Sequence, residues 1–243
     1  LEAEQYIPVP VSELYLDHMI IDSNAKETEL LVVAVPKKIV DSYLVLANML
    51  NLEVAGLETS IGATARIFVH SEQSDVPTVL VDFGSISSDI SIYDKSLIVT
   101  GTVAGGGDNF TELIASALNI NKSEATVIKT KYGIGVSKKQ REISKALVPI
   151  LNQLIKEVRR MIRYYEDRSN TKRKVSQVVT MGGGASMPGL SEFMTSSLRL
   201  PVRMCDPWLH LDFAGLQPPS GVEKSTYTTV AGLALVDPKE ILA

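Results

Sequence analysis

Cysteine is almost missing from this chain. Cys205 is the only one in 243 residues, which excludes an internal disulfide and fits a reducing compartment. Histidine is scarce too: His18, His70 and His210 fall at spacings that make no metal set, and they read as ordinary surface or core residues. No run of about 18 apolar residues occurs, so no segment reads as a membrane span, and no signal-peptide pattern is seen. An excess of cations is lacking: the formal net charge is −4, which argues against a nucleic-acid binder that works by neutralising phosphates. Long internal repeats and low-complexity tracts are absent. So is an initiator methionine; the chain opens on Leu1-Glu2-Ala3-Glu4 as if in mid-helix, and we expect a fragment of a longer protein. What is present is ordinary for a globular protein, with 45% apolar and 21% charged residues, enough for a sizeable core in one or two domains.

The informative stretch is Thr78 to Phe110. A short apolar run, Val79 to Val81, ends in Asp82-Phe83-Gly84. A Ser-rich turn follows, then two strand-like runs, Asp89 to Tyr93 and Leu97 to Val103, and the stretch closes on Gly105-Gly106-Gly107-Asp108. A buried strand that delivers an Asp into a Gly/Ser turn suits a phosphate-metal site. Small residues let backbone N–H groups approach an anion, and the carboxylate can orient a metal-bound water. For this stretch alone, a β-hairpin with ordinary turn residues is the alternative. A second cluster repeats the arrangement: a strand from Val175 to Thr180, then Gly182-Gly183-Gly184-Ala185-Ser186, then a helix from Leu190. Neither turn is a Walker A loop or a G-x-G-x-x-G fingerprint. Two Gly-rich turns after apolar strands imply a nucleotide held between two lobes.

Elsewhere, strands are expected at Tyr15 to Asp22, Leu30 to Val35, Glu53 to Leu57 and Val202 to Met204. Helices are expected at Pro36 to Leu50, Ser60 to Phe68, Phe110 to Leu118, Ser123 to Tyr132, Lys139 to about Asp167, and Tyr227 to Leu235. The polar tract His70 to Asp75 reads as a domain boundary. Arg159, Arg160, Arg163 and Arg168 on the long helix read as a solvated, dipole-compensating end rather than a binding patch.

These motifs resemble the actin-like ATPase superfamily over almost the whole chain. Asp82-Phe83-Gly84 is similar to its second phosphate motif, Gly182-Gly183-Gly184-Ala185-Ser186 to its adenosine motif, and Thr228 to Leu235 to a connecting helix. The fold implied is α/β, with ribonuclease-H-like lobes, a small α/β insert of the 1C type and a truncated N-terminal lobe. Within the superfamily, Glu2 to Pro10 (chiefly Tyr6-Ile7-Pro8), the later motifs and the lack of a C-terminal amphipathic membrane helix look most like the PilM family of type IV pilus assembly proteins, close to FtsA. The expected division is 1–50 insert, 51–76 remnant of the first lobe, 77–120 phosphate-motif strands, 121–170 helical subdomain, 171–226 adenosine motif and 227–243 connecting helix.

The resemblance implies ATP and Mg²⁺ as cofactors. Asp82 would position Mg²⁺ or its water; Gly84, Ser85 and Ser87 would line the phosphates; Gly106 and Gly107 would lie near phosphates and ribose. Gly182, Gly183, Gly184 and Ser186 would cradle the adenosine, and Lys129 would reach the ribose or base. Thr126 stands where relatives place a ribose-binding Glu, with Glu124 nearby. The family's first phosphate loop is not found, which implies weak nucleotide binding and no hydrolysis by such a fragment. The implied partners are the N-terminal peptide of a PilN-like membrane protein, docked within Ile7 to Val35, and the pilus motor and platform, with room for self-association. The implied setting is bacterial twitching motility, on the cytoplasmic face of the inner membrane. A filament-forming division protein or chaperone, an ATP-dependent kinase, and a scaffold with relic turns are the alternatives.

Overall fold

The computed structural model describes residues 9–23, 27–72, 75–168, 173–217, 219, 221–237 and 239. Tyr6-Ile7-Pro8, Gln73-Ser74 and Pro238 lie outside them. The chain divides into two compact units, Leu1–Thr59 with Val236–Ala243, and Ser60–Leu235.

In the first unit, β1 (Leu14–Ser23) and β2 (Thr28–Pro36) pair antiparallel, with Tyr15 opposite Val35 and His18 opposite Val32. Pro36, the last residue of β2, is also the N-cap of helix α1 (Lys37–Met49), and its fixed φ near −54° suits a helix start. Tyr15 Oη donates to Asp41 at 3.1 Å, and Lys37 Nζ sits 5.6 Å from the Tyr15 ring centre. These contacts put α1 on the sheet face that carries Tyr15. By alternation, Leu16, His18, Ile20 and Val32 share the other face. The expected strand Glu53 to Leu57 does not form; residues 52–59 are irregular. Gly56 interrupts the run and no described strand edge offers it a ladder, so side-chain preference alone does not make a strand.

The second unit is built on a five-stranded sheet in the order β5-β4-β3-β6-β7. β3 (Thr78–Phe83), β4 (Ser87–Asp94) and β5 (Ser96–Ala104) form an antiparallel meander, and β6 (Gln177–Met181) and β7 (Val202–Met204) add parallel strands beside β3. The central strand is buried on both faces, which is why it reads as a continuous apolar run. Val79, Val81 and Phe83, with Ile90 and Ile92 across the pair, face α3 (Gly107–Leu118) and α5 (Gln140–Arg168). Leu80, with Val179 and Met181, faces α2 (Ser60–Glu72) through Ala65 and Phe68.

The long helix α5 buries Ile143, Leu147, Leu151, Leu154, Ile155, Val158, Met161 and Tyr165. Each apolar side chain contributes roughly 1.5–3 kcal/mol of burial. Pro149 lies on its exposed side, where the carbonyl that loses an N–H partner can bond water. Tyr165 Oη donates to Asp94 at 2.6 Å and Arg173 donates to the same carboxylate at 2.5 Å, tying α5 to the end of β4. The small residues of α7 (Thr228–Ala234) have the close neighbour expected for them. A Cβ on Gly232 would stand 2.0 Å from Ala63 O on α2, and Arg66 donates to Gly232 O at 3.1 Å.

Candidate functional site

The site grows from the C-terminal ends of β3 and β6, which are parallel neighbours with Asp82 opposite Met181. Beyond β3, Gly84 N–H donates to Ser87 O at 3.0 Å and closes the first turn. The glycine loop after β5 then clamps onto that turn. Gly107 N–H donates to Gly84 O at 2.9 Å, Asp108 N–H to Ser85 O at 2.8 Å, and Gly105 N–H to Ile86 O at 3.0 Å. A Cβ on Gly106 would lie 2.5 Å from Gly84 O and 2.6 Å from Ser85 O, so only glycine permits this approach. Helix α3 starts from this loop at Gly107, three residues before Phe110, where its apolar stripe begins. The N–H groups of Ser85 and Ile86 have no hydrogen-bond partner among the described residues.

The second turn leaves β6 through Gly182 at φ +80°, and a short 3-10 turn covers Gly183–Ser186. A Cβ on Gly182 would stand 2.1 Å from Asp82 Oδ1, and one on Gly184 would stand 2.8 Å from Phe83 Cβ. The two turns are therefore in contact through backbone that a side chain would push apart. Gly183 approaches Thr226, and Ser186 Oγ donates to Gly183 O at 3.1 Å.

Asp82 lies on the sheet face opposite Val81 and Phe83, directly across from Asp89. Burial, and then the Asp89 charge, push its carboxyl up to about 6. Asp89 accepts from Thr102 Oγ1 at 2.6 Å, whereas no described residue donates to Asp82. Lys129, on α4 (Lys122–Lys131), donates to Gly107 O at 2.7 Å and Thr111 Oγ1 at 2.8 Å. Burial lowers its pKa, against a smaller opposing effect of Asp108. The Glu124 carboxylate accepts from Asn121 N–H at 3.3 Å and caps α4, and Thr126, at the position of the expected carboxylate, has a hydroxyl that donates back to Lys122 O at 2.9 Å.

Of the residues singled out in the sequence, the structure brings Asp82, Gly84, Ser85, Gly106, Gly107, Gly182, Gly184 and Lys129 into one neighbourhood. Ser87 contributes its carbonyl to the turn, while Gly183 and Ser186 lie toward Thr226. Sequence reasoning missed Asp89, Asp108 and Thr226. The hairpin register would have found Asp89, and Asp108 ends the glycine run; nothing local announces Thr226. Among the described residues, no group of three or more His, Cys, Asp or Glu side chains could hold a metal ion, and no helix is long and apolar enough to cross a membrane.

The cell division protein FtsA of Enterococcus faecalis is 26% identical over 167 residues, covering 61% of this chain and 38% of that protein. FtsA of Neisseria meningitidis serogroup B is 25% identical over 161 residues, covering 58% and 39%. The chain thus spans about two-fifths of the length of these curated relatives. Among solved structures, the PilM-PilN type IV pilus biogenesis complex aligns with a TM-score of 0.79 and 22% identity, covering 96% of this chain and 69% of that one. MreB5 of Spiroplasma citri bound to AMPPNP aligns with a TM-score of 0.62 and 13% identity, covering 83% and 64%. These structural likenesses show an actin-like fold. The family described as type IV pilus assembly protein PilM matches residues 1–237, and the chain belongs to that family.

Proposed function

We propose that this chain is a docking scaffold of type IV pilus assembly that binds the cytoplasmic N-terminal peptide of a PilN-like membrane protein, with ATP-Mg²⁺ as a switch between its two glycine turns. The observation that carries the docking role is the open face of the first unit's sheet. Leu16 is 41% exposed, Ile20 60% and Val32 43%. Both outer edges of this two-stranded sheet are unpaired among the described residues. An extended peptide can add to such an edge through its backbone while alternate side chains cover the apolar face. The part of the candidate region before Val9 lies outside the described residues.

The nucleotide half of the proposal rests on the fit of the residues. Asp82 is a half-buried carboxylate with no described donor, and the unbonded Ser85 and Ile86 N–H groups lie in the adjoining turn. Asp82 would hold Mg²⁺ through a water, these amides would meet the phosphates, and the bare backbone of Gly182–Gly184 would lie against the adenosine. Lys129 would offer its ammonium from the Gly107 side. ATP-Mg²⁺ supplies a polyanion with its own divalent counter-ion. In this reading the working protein sits at the inner face of the cytoplasmic membrane, held there by its partner.

The test is calorimetric titration of a synthetic peptide, the cytoplasmic N-terminus of the PilN-like protein, into the full-length chain, with and without ATP-Mg²⁺. Binding that is lost on Leu16→Asp and Val32→Asp is the expected result. No binding by the full-length chain, or binding indifferent to both changes, overturns the docking proposal. Heat from ATP-Mg²⁺ that persists in Asp82→Ala overturns the nucleotide assignment.

A further inference from the structure

Arg159, Arg160, Arg163 and Arg168 are all exposed, as expected of a solvated helix end, but only Arg168 lies in the last turn of α5. Dipole compensation acts within the last turn, and Arg163 and Arg159 lie five and nine residues before the last helical residue, Arg168. Arg160 is neutralised by Glu157, and Arg168 stacks 4.4 Å from the Tyr164 ring centre and donates to its hydroxyl. Arg159 donates to Ser197 O, a neutral carbonyl. Arg163 is exposed and has no ion-pair partner among the described residues. On a chain with a formal net charge of −4, this leaves two guanidiniums one helical turn apart that form no ion pair among the described residues.

They stand over an apolar groove of about 290 Å³. Ile162 of α5 and Val175, just before β6, form one side of it. Leu198 at the end of α6 (Leu190–Leu198) and Leu200 form the other. Because Val175 and Leu200 precede the parallel strands β6 and β7, and the second glycine turn follows the far end of β6, the groove is at the opposite end of the sheet from the proposed nucleotide site. Its volume is at the bottom of the range for small-molecule sites, which run to roughly 300–1,000 Å³. One large aliphatic or phenyl side chain, for which roughly 150 Å³ suffices, fits within it and leaves room for its neighbours. Glu166 also lines the groove and opposes a dense polyanion, so nucleic acid and anionic lipid surfaces are poor matches. A single carboxylate between Arg159 and Arg163 is a good one, since guanidinium pairs carboxylate through two parallel hydrogen bonds.

We propose that this groove docks a short segment of a partner protein in which a Leu, Ile or Phe side chain is flanked by Asp or Glu. The apolar side chain enters between Ile162 and Leu198, and the carboxylate meets Arg159 and Arg163. This site is independent of the peptide face on the first unit.

The experiment is selection of displayed random heptapeptides on the full-length chain, after depletion of the library on the Arg163→Glu chain. Depletion removes ligands of the first unit. Arg163 is exposed, and unchanged fluorescence of Trp208 verifies that the variant is folded. The expected survivors carry Asp or Glu within two positions of Leu, Ile or Phe. Synthetic copies should lose about tenfold in affinity on Arg163→Glu and none on Lys145→Glu, elsewhere on the exposed side of α5. No survivors, survivors without a carboxylate, or equal loss on Lys145→Glu overturns the proposal. So does self-association of the chain that Arg163→Glu abolishes, which would make the occupant a second copy. Binding to phosphatidylglycerol vesicles abolished by that change would equally overturn it, in favour of a lipid surface.

Discussion

Replacing Asp82 with Asn removes a charge that the fold holds at a loss. Burial and the neighbouring Asp89 raise the Asp82 carboxyl from its ordinary 3.8 to about 6. Between these values the unfolded chain has released the proton and the folded chain has kept it. Stability therefore falls as pH rises through that window and is flat again above it. The shift corresponds to about 3 kcal/mol between the two protonation states, and water reaching this half-buried group reduces that to about 2 kcal/mol. Asn is close in shape to the protonated acid, so the variant should match the parent near pH 4. By pH 7 it should be more stable by about 2 kcal/mol, or about 4–8 °C in Tm for a domain of this size. Denaturant unfolding at several pH values, followed by the fluorescence of Trp208, the sole tryptophan, reads the second unit alone. A difference that stays constant from pH 4 to 7, or an Asn variant that is less stable at pH 7, refutes the reasoning.

Gly232→Ala places a Cβ about 2.0 Å from Ala63 O; backbone cannot yield as a flexible side chain would, and thermal melting should show a loss of roughly 1–3 kcal/mol. Tyr165→Phe removes the 2.6 Å bond to Asp94 but leaves Arg173 in place, so a modest loss of about 1–2 kcal/mol is expected by denaturant titration. Lys129→Met removes the donor to Gly107 O and Thr111 Oγ1. It should weaken ATP-Mg²⁺ binding to the full-length chain about tenfold in calorimetry, with about 1 kcal/mol lost from folding.

Much of this fold is legible in the sequence because local and tertiary demands agree. Val79 to Val81 is apolar at consecutive positions because β3 is covered on both faces, and the α5 stripe from Ile143 to Val158 recurs at helical spacing because one side meets the sheet. Glu53 to Leu57 misleads for the complementary reason: its side chains suit a strand, but no edge receives it. The start of α3 is hidden because Gly106 and Gly107 read as loop, yet their lack of side chains is what lets the helix begin against Gly84 and Ser85. The glycines, Asp82 and Lys129 are recognisable as a set, whereas Thr226 reaches Gly183 only through tertiary packing. The arginines of α5 are exposed, as their sequence suggests, but what each one meets is not legible. Their charges are visible in the sequence, but not the Ser197, Glu157 and Tyr164 contacts that engage Arg159, Arg160 and Arg168 while Arg163 forms no ion pair among the described residues.

Asp82 also bears on whether the glycine turns are relics. The close approaches of Gly106 to Ser85 and of Gly182 to Asp82 hold the turns together without any ligand, so the glycines alone would be kept for packing. A carboxylate at position 82 has no such justification. It faces Asp89, receives no described hydrogen bond, and is ionised at neutral pH only against burial. Asn or Ser there would satisfy packing at lower cost, and a destabilising group is expected to persist where function requires it. A divalent cation reverses the local balance, since its charge favours the ionised Asp82 carboxylate that burial opposes. If Mg²⁺ with ATP is what Asp82 serves, adding it should lower the pH at which the parent reaches its full stability difference from Asp82→Asn and shrink that difference at pH 7. A difference untouched by ATP-Mg²⁺ in the full-length chain would leave the carboxylate without that role.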